Sequence, residues 1–153
     1  MKKLLKLGTL LLVFALLFNL VACSSFNRVQ KALEDAGYKL VENEENDASK
    51  EAEESEKVTE VYVFTNKDSL EGIEKLNTTL VTVIEFKSTK ELVEYFKESN
   101  TLQGIVKDLE EEGTIKEFYE ELKDEGFACG NCLIIPLGLD GERVLNIIEE
   151  LND

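Results

Sequence analysis

Hydrophobic side chains recur along the chain with two periods, and these divide it into helices and strands. Phe26, Val29, Leu33 and Ala36 fall at helical spacing, so a short amphipathic helix is predicted just beyond Ser24-Ser25. Gly37 suits the left-handed position past its end, and Tyr38 would meet Leu33 as in a Schellman cap. Leu122 to Phe127 repeats this L-x-D-x-G-aromatic arrangement 89 residues later. Shared capping physics explains the repetition without a duplication, which would need similarity sustained along a period.

Tyr38-Lys39-Leu40-Val41 reads as an edge strand. Val61-Tyr62-Val63-Phe64 and Thr79 to Phe86 are rich in β-branched and aromatic residues, with apolar positions on both faces. That pattern predicts strands covered on both sides. Between them Leu70, Ile73 and Leu76 mark a helical stripe over Asp68 to Leu76. Ser88-Thr89-Lys90-Glu91 and Thr114-Ile115-Lys116-Glu117 are capping boxes. They open helices with inner stripes of Leu92, Tyr95 and Phe96, and of Phe118, Tyr119 and Leu122. Leu102, Ile105, Val106 and Leu109 predict a further helix between those two. Leu133-Ile134-Ile135 forms a strand that Pro136 should stop, because proline lacks the ladder donor. Asp140 would cap a last helix carrying Val144, Ile147, Ile148 and Leu151, with Leu139 and Val144 as its hydrophobic staple.

The order is α-β, an acidic stretch, then β-α-β-α-α-α-β-α. It predicts a compact layered α+β (or α/β) fold, a mixed sheet of about four strands covered by several helices. Residues 42–60 hold nine acids against Lys50 and Lys57 and few apolar side chains. Such a stretch buries too little to offset its ordering entropy, so 43–57 is expected to be an acidic flexible loop, with a transient helix as the competing reading. The globular core is then 58–153, preceded by a short helix and strand over 23–42. The sequence does not fix whether that first pair joins the main sheet.

The first 22 residues have a different character. Met1-Lys2-Lys3-Leu4-Leu5-Lys6 is basic, and Leu7 to Ala22 is a 16-residue run without charge. A spanning helix needs about 20 apolar residues. The segment fits instead the basic and apolar regions of an export signal. It ends in Leu20-Val21-Ala22-Cys23, which resembles the lipobox of bacterial lipoproteins: an aliphatic residue three before the cysteine, a small residue before it, then Cys. The resemblance covers residues 1–24. It implies that 1–22 are cleaved, that the Cys23 thiol carries a diacylglyceryl group, and that the new amino terminus is often acylated. Two anchoring chains are what stable membrane residence requires. Ser24 rather than Asp after the cysteine implies the outer membrane in a two-membrane bacterium, and the outer face of the plasma membrane in a one-membrane one.

Composition sharpens this picture mainly by exclusion. The 153 residues contain 17 Lys+Arg and 32 Asp+Glu, a formal charge of −15, with no His. Without histidine there is no Ser-His-Asp or Cys-His pair and no HExxH zinc site. The acidic balance argues against nucleic-acid binding, which needs a basic patch. Cleavage would remove three lysines and no acid, leaving −18. Anionic headgroups repel such a surface, so the lipid on Cys23 must supply the membrane contact.

One constellation could carry chemistry, Cys129-Gly130-Asn131-Cys132. A redox pair places its first cysteine at a helix N-terminus, where thiolate is favoured. Here the motif enters a strand, and Asp124 and Glu125 nearby would oppose thiolate. A zinc site lacks its remaining ligands. Gly-Asn between cysteines is better read as a two-residue turn holding a structural disulfide or an inert thiol pair. No catalytic, cofactor-binding or metal residues are otherwise singled out, and the chain has no phosphate loop. The reading is a lipid-anchored extracytoplasmic binding or envelope-associated module, its protein or small-molecule partner left open. Thiol–disulfide exchange at Cys129 and Cys132 is the enzymatic rival.

Overall fold

The computed structural model describes residues 25–41, 46–66, 78–105 and 113–153. Helix α1 spans 25–35. It ends in the Schellman motif its sequence predicts, Tyr38 donating to the Leu33 carbonyl at 2.9 Å and Gly37 to that of Glu34 at 3.0 Å. There follow β1 (Lys39–Val41), α2 (Asp47–Glu53), β2 (Val58–Thr65), β3 (Leu80–Phe86), α3 (Thr89–Glu98), α4 (Asn100–Ile105), α5 (Ile115–Asp124), β4 (Ala128–Cys129), β5 (Cys132–Leu137) and α6 (Gly141–Asn152). The fold is α+β. Among the described residues no helix is long and apolar enough to cross a membrane.

The strands form one sheet in the order β1-β2-β3-β5-β4, and every pairing is antiparallel. The expected sheet of about four mixed strands is therefore five antiparallel ones. The extra strand is β4, whose two residues are too few to show a period. The first helix and strand are not a separate unit: Leu40 of β1 pairs with Phe64 of β2, and α1 packs on the sheet.

Alternation along the strands feeds two cores, as the two-faced apolar pattern requires. Ile84, Phe86, Leu133 and Ile135 point toward α2, α3, α4 and α5. Val81, Val83, Phe64 and Ile134 point toward α1 and α6.

The acidic stretch is also corrected. Within 43–57, residues Asp47–Glu53 form α2, with Asn46 and Ser49 in a reciprocal capping box. Ala48 and Ala52 are buried in the first core, and the Asn46 amide donates to the Thr82 hydroxyl at 2.7 Å. Two alanines facing the sheet supply the attachment that composition alone hides.

Pro136 does not stop its strand. Ile134 donates its N–H to Phe127 on the β4 side, and two residues on, Pro136 faces the same side, where β4 has ended. No ladder bond is lost. The expected staple is also absent, since Leu139 is 78% exposed. Asp140 precedes α6 without a side-chain cap and accepts instead from Asn66 at 3.1 Å. Thr114 and Glu117 make the reciprocal box predicted for α5, whereas Ser88 caps α3 through the Glu91 N–H at 3.2 Å. The helix expected over 68–76, and Val106 and Leu109 of the one expected near α4, lie outside the described residues.

Candidate functional site

β4 and β5 are joined by Gly130 and Asn131 alone, and Cys129 is the direct cross-strand partner of Cys132. A two-residue hairpin loop matches the strand twist when its first residue takes positive φ. Gly130 has φ 57°. Asn131 fastens the turn to β3: its side-chain amide donates to the Phe86 carbonyl at 2.6 Å, and the Phe86 N–H donates to the Asn131 carbonyl at 2.9 Å. From α5, the Tyr119 hydroxyl donates to the Gly130 carbonyl at 2.9 Å. From the opposite layer Ser25 closes over the turn, so near that a Cβ on Gly130 would lie 2.0 Å from its hydroxyl oxygen.

Both cysteines belong to the core beneath α1 and α6, and both are free thiols. Directly opposed residues of an antiparallel pair have Cα atoms about 4.5–5.5 Å apart, within the reach of a disulfide. Burial pushes the Cys129 thiol above its ordinary range, partly offset by Arg28 and Lys123. Burial raises Cys132 further, and the Glu85 carboxylate adds to it. Glu85 sits opposite Cys132 on β3. It takes the thiolate-opposing role that the sequence suggested for Asp124 and Glu125. No helix begins at Cys129. A nucleophilic thiol needs the reverse of these conditions, partial exposure and a positive surrounding field. The arrangement holds two neutral thiols in an apolar layer, where they act as small hydrophobic side chains.

Of the residues singled out from sequence, Cys129 and Cys132 are brought together, while Cys23 lies outside the described residues. Sequence reasoning missed Ser25, Tyr119 and Phe86 as partners of the hairpin. They lie far from it along the chain and carry no motif. It also missed a polar cluster at the opposite end of the sheet. There Asn66 accepts from the Thr79 N–H at 3.2 Å and donates to Asp140, whose own N–H donates to the Thr79 hydroxyl at 3.0 Å. The Tyr38 hydroxyl is buried with no hydrogen-bond partner among the described residues. Burial raises its pKa, Asp140 adds to the rise, and Arg143 opposes it.

The outer side of α5 is an open, mostly acidic groove in which Glu117, Glu120, Glu121, Asp124 and Glu125 stand with Thr114 and Lys116. Among the described residues no three carboxylates or thiols converge to hold a metal ion. Compared with protein-family models, curated proteins and solved structures, the chain has no match.

Proposed function

We propose that the chain is a lipoprotein, held by a diacylglyceryl group on Cys23 at the outer face of a bacterial plasma membrane, or at the outer membrane where there are two. It works there as a non-catalytic binding or envelope-associated module. The observation that carries the reading is the order of residues at the start of the chain: a basic Met1 to Lys6, an uncharged run from Leu7 to Ala22, and Leu20-Val21-Ala22-Cys23 at its end.

Binding is preferred to thiol–disulfide exchange because the Cys129 and Cys132 thiols are enclosed and held protonated. An exchange enzyme must present an ionised thiol to another protein's disulfide.

Intact-mass analysis of protein extracted from membranes tests the anchor. The expected mass lacks residues 1–22 and includes lipid, and Cys23→Ala leaves the chain uncleaved or released from the membrane. A mature chain beginning at any other residue overturns the reading. For the rival activity the reduction potential decides. A value below about −300 mV marks a static pair, whereas one near −200 mV or higher marks an exchange catalyst.

A further inference from the structure

The β4–β5 hairpin marks one end of the sheet, level with Phe86 and Val58. At the other end Thr65, Leu80 and Leu137 are in register, and Leu139 and Asp140 follow. The seven residues of β3, at about 3.3 Å each, separate the two ends by about 20 Å. Helix α1 begins at the hairpin end, with Ser25 against Gly130. It is held along its whole length. Phe26 stacks on Tyr62 with ring centroids 3.8 Å apart, Val29 and Leu33 are fully buried, and Arg28 donates to the Leu151 carbonyl of α6. Little slack therefore separates Ser25 from the core. Cys23 precedes Ser25 by two residues, a covalent reach of at most about 7 Å.

We propose that the lipid on Cys23 holds the β4–β5 hairpin end of the sheet against the bilayer surface and directs the Leu139–Asp140 end outward. This rests on the lipoprotein reading above and adds an orientation to it. Inserted acyl chains keep the modified cysteine at headgroup level. A leash of about 7 Å is too short to invert a body about 20 Å long.

The chain contains no Trp, so single tryptophans report their position cleanly. Thr59→Trp and Lys87→Trp mark the hairpin end and Leu139→Trp the far end, all at exposed positions. Each full-length variant is extracted from membranes, checked by intact mass and by circular dichroism, and placed in phosphatidylcholine vesicles carrying headgroup nitroxides. The expected result is loss of most of the fluorescence at 59 and 87 and little loss at 139. A flexible Gly/Ser insert of 20 residues between Ser24 and Ser25, spanning about 25 Å, should erase the difference. Equal quenching at both ends, or stronger quenching at 139, in protein whose mass shows the lipid overturns the orientation alone. A difference that survives the insert overturns the short tether as its cause. Protein without lipid overturns the anchoring reading instead.

Discussion

Arg28 and Arg143 cap each other's helices. Arg28, on α1, donates to the Leu151 carbonyl in the last turn of α6, and Arg143, in the first turn of α6, donates to the Ala36 carbonyl just past α1 at 3.2 Å. The helices run antiparallel, so each places a guanidinium on carbonyls that its neighbour leaves unpaired, at the negative end of that helix's dipole. These are the chain's two arginines. Both are engaged in packing α1 against α6.

Arg28→Ala and Arg143→Ala are each expected to lower stability by about 0.5–1 kcal/mol, since both caps are exposed. The double variant should lose about the sum, because the two sites share no partner. Urea unfolding midpoints measure this. Wild-type stability in both single variants would mean that the caps contribute nothing.

Two glycines at helix ends should respond unequally to alanine. Gly37 has φ 94° and open space where a Cβ would go, so Gly37→Ala costs only the backbone strain, about 1 kcal/mol. Gly126 has φ 76°, and a Cβ there would lie 2.2 Å from the Leu145 carbonyl oxygen of α6. Gly126→Ala must displace α6 as well and should cost at least about 3 kcal/mol. Thermal unfolding of the two variants gives the comparison, and equal losses would show that α6 yields freely.

The buried thiols make an alkaline limb. Unfolded cysteines ionise near pH 9, whereas Cys129 and Cys132 keep their protons to higher pH in the folded chain. The unfolded state therefore binds fewer protons above pH 9. Their contribution is complete below that value and is lost progressively as pH rises beyond it. Reduced protein should lose stability between pH 9 and 10, and the Cys129→Ala, Cys132→Ala double variant should show a shallower slope there. Thiol alkylation at pH 8 should proceed no faster than global unfolding. Rapid alkylation of the folded protein would contradict the enclosed geometry.

What the sequence disclosed was mostly local. Leu33 with Tyr38, and Leu122 with Phe127, state two helix endings within six residues each, and both endings hold at 2.9 and 2.8 Å. The Cys129-Gly130-Asn131-Cys132 turn and the two-sided burial of β3 were equally readable, because turn chemistry and strand alternation have short ranges. Features set by distant partners were not. Pro136 continues its strand only because β4 is two residues long. Asp140 abandons its cap because Asn66 reaches it across 74 positions. The contact of Ser25 with Gly130 follows from the path of α1 across the sheet, which no motif encodes.

Helix α2 is the sharpest of these cases, and it yields the last prediction. Asp47–Glu53 carries four charged residues, and Ala48, Ser49 and Ala52 are buried, with the two alanines in the hydrophobic core. In a solvated loop Ala52→Asp would be neutral, within about 0.5 kcal/mol. In the structure Ala52 is wholly buried in the first core, the cluster that also holds Ile84 and Tyr95. A carboxylate there is both too large and unpaired, so a loss of about 3 kcal/mol or more is expected. Glu53→Asp, at an exposed position of the same helix, serves as the control and should leave stability within about 0.5 kcal/mol. Chemical denaturation of both variants decides. A tolerated aspartate at 52 would detach α2 from the sheet and restore the acidic loop that composition suggests.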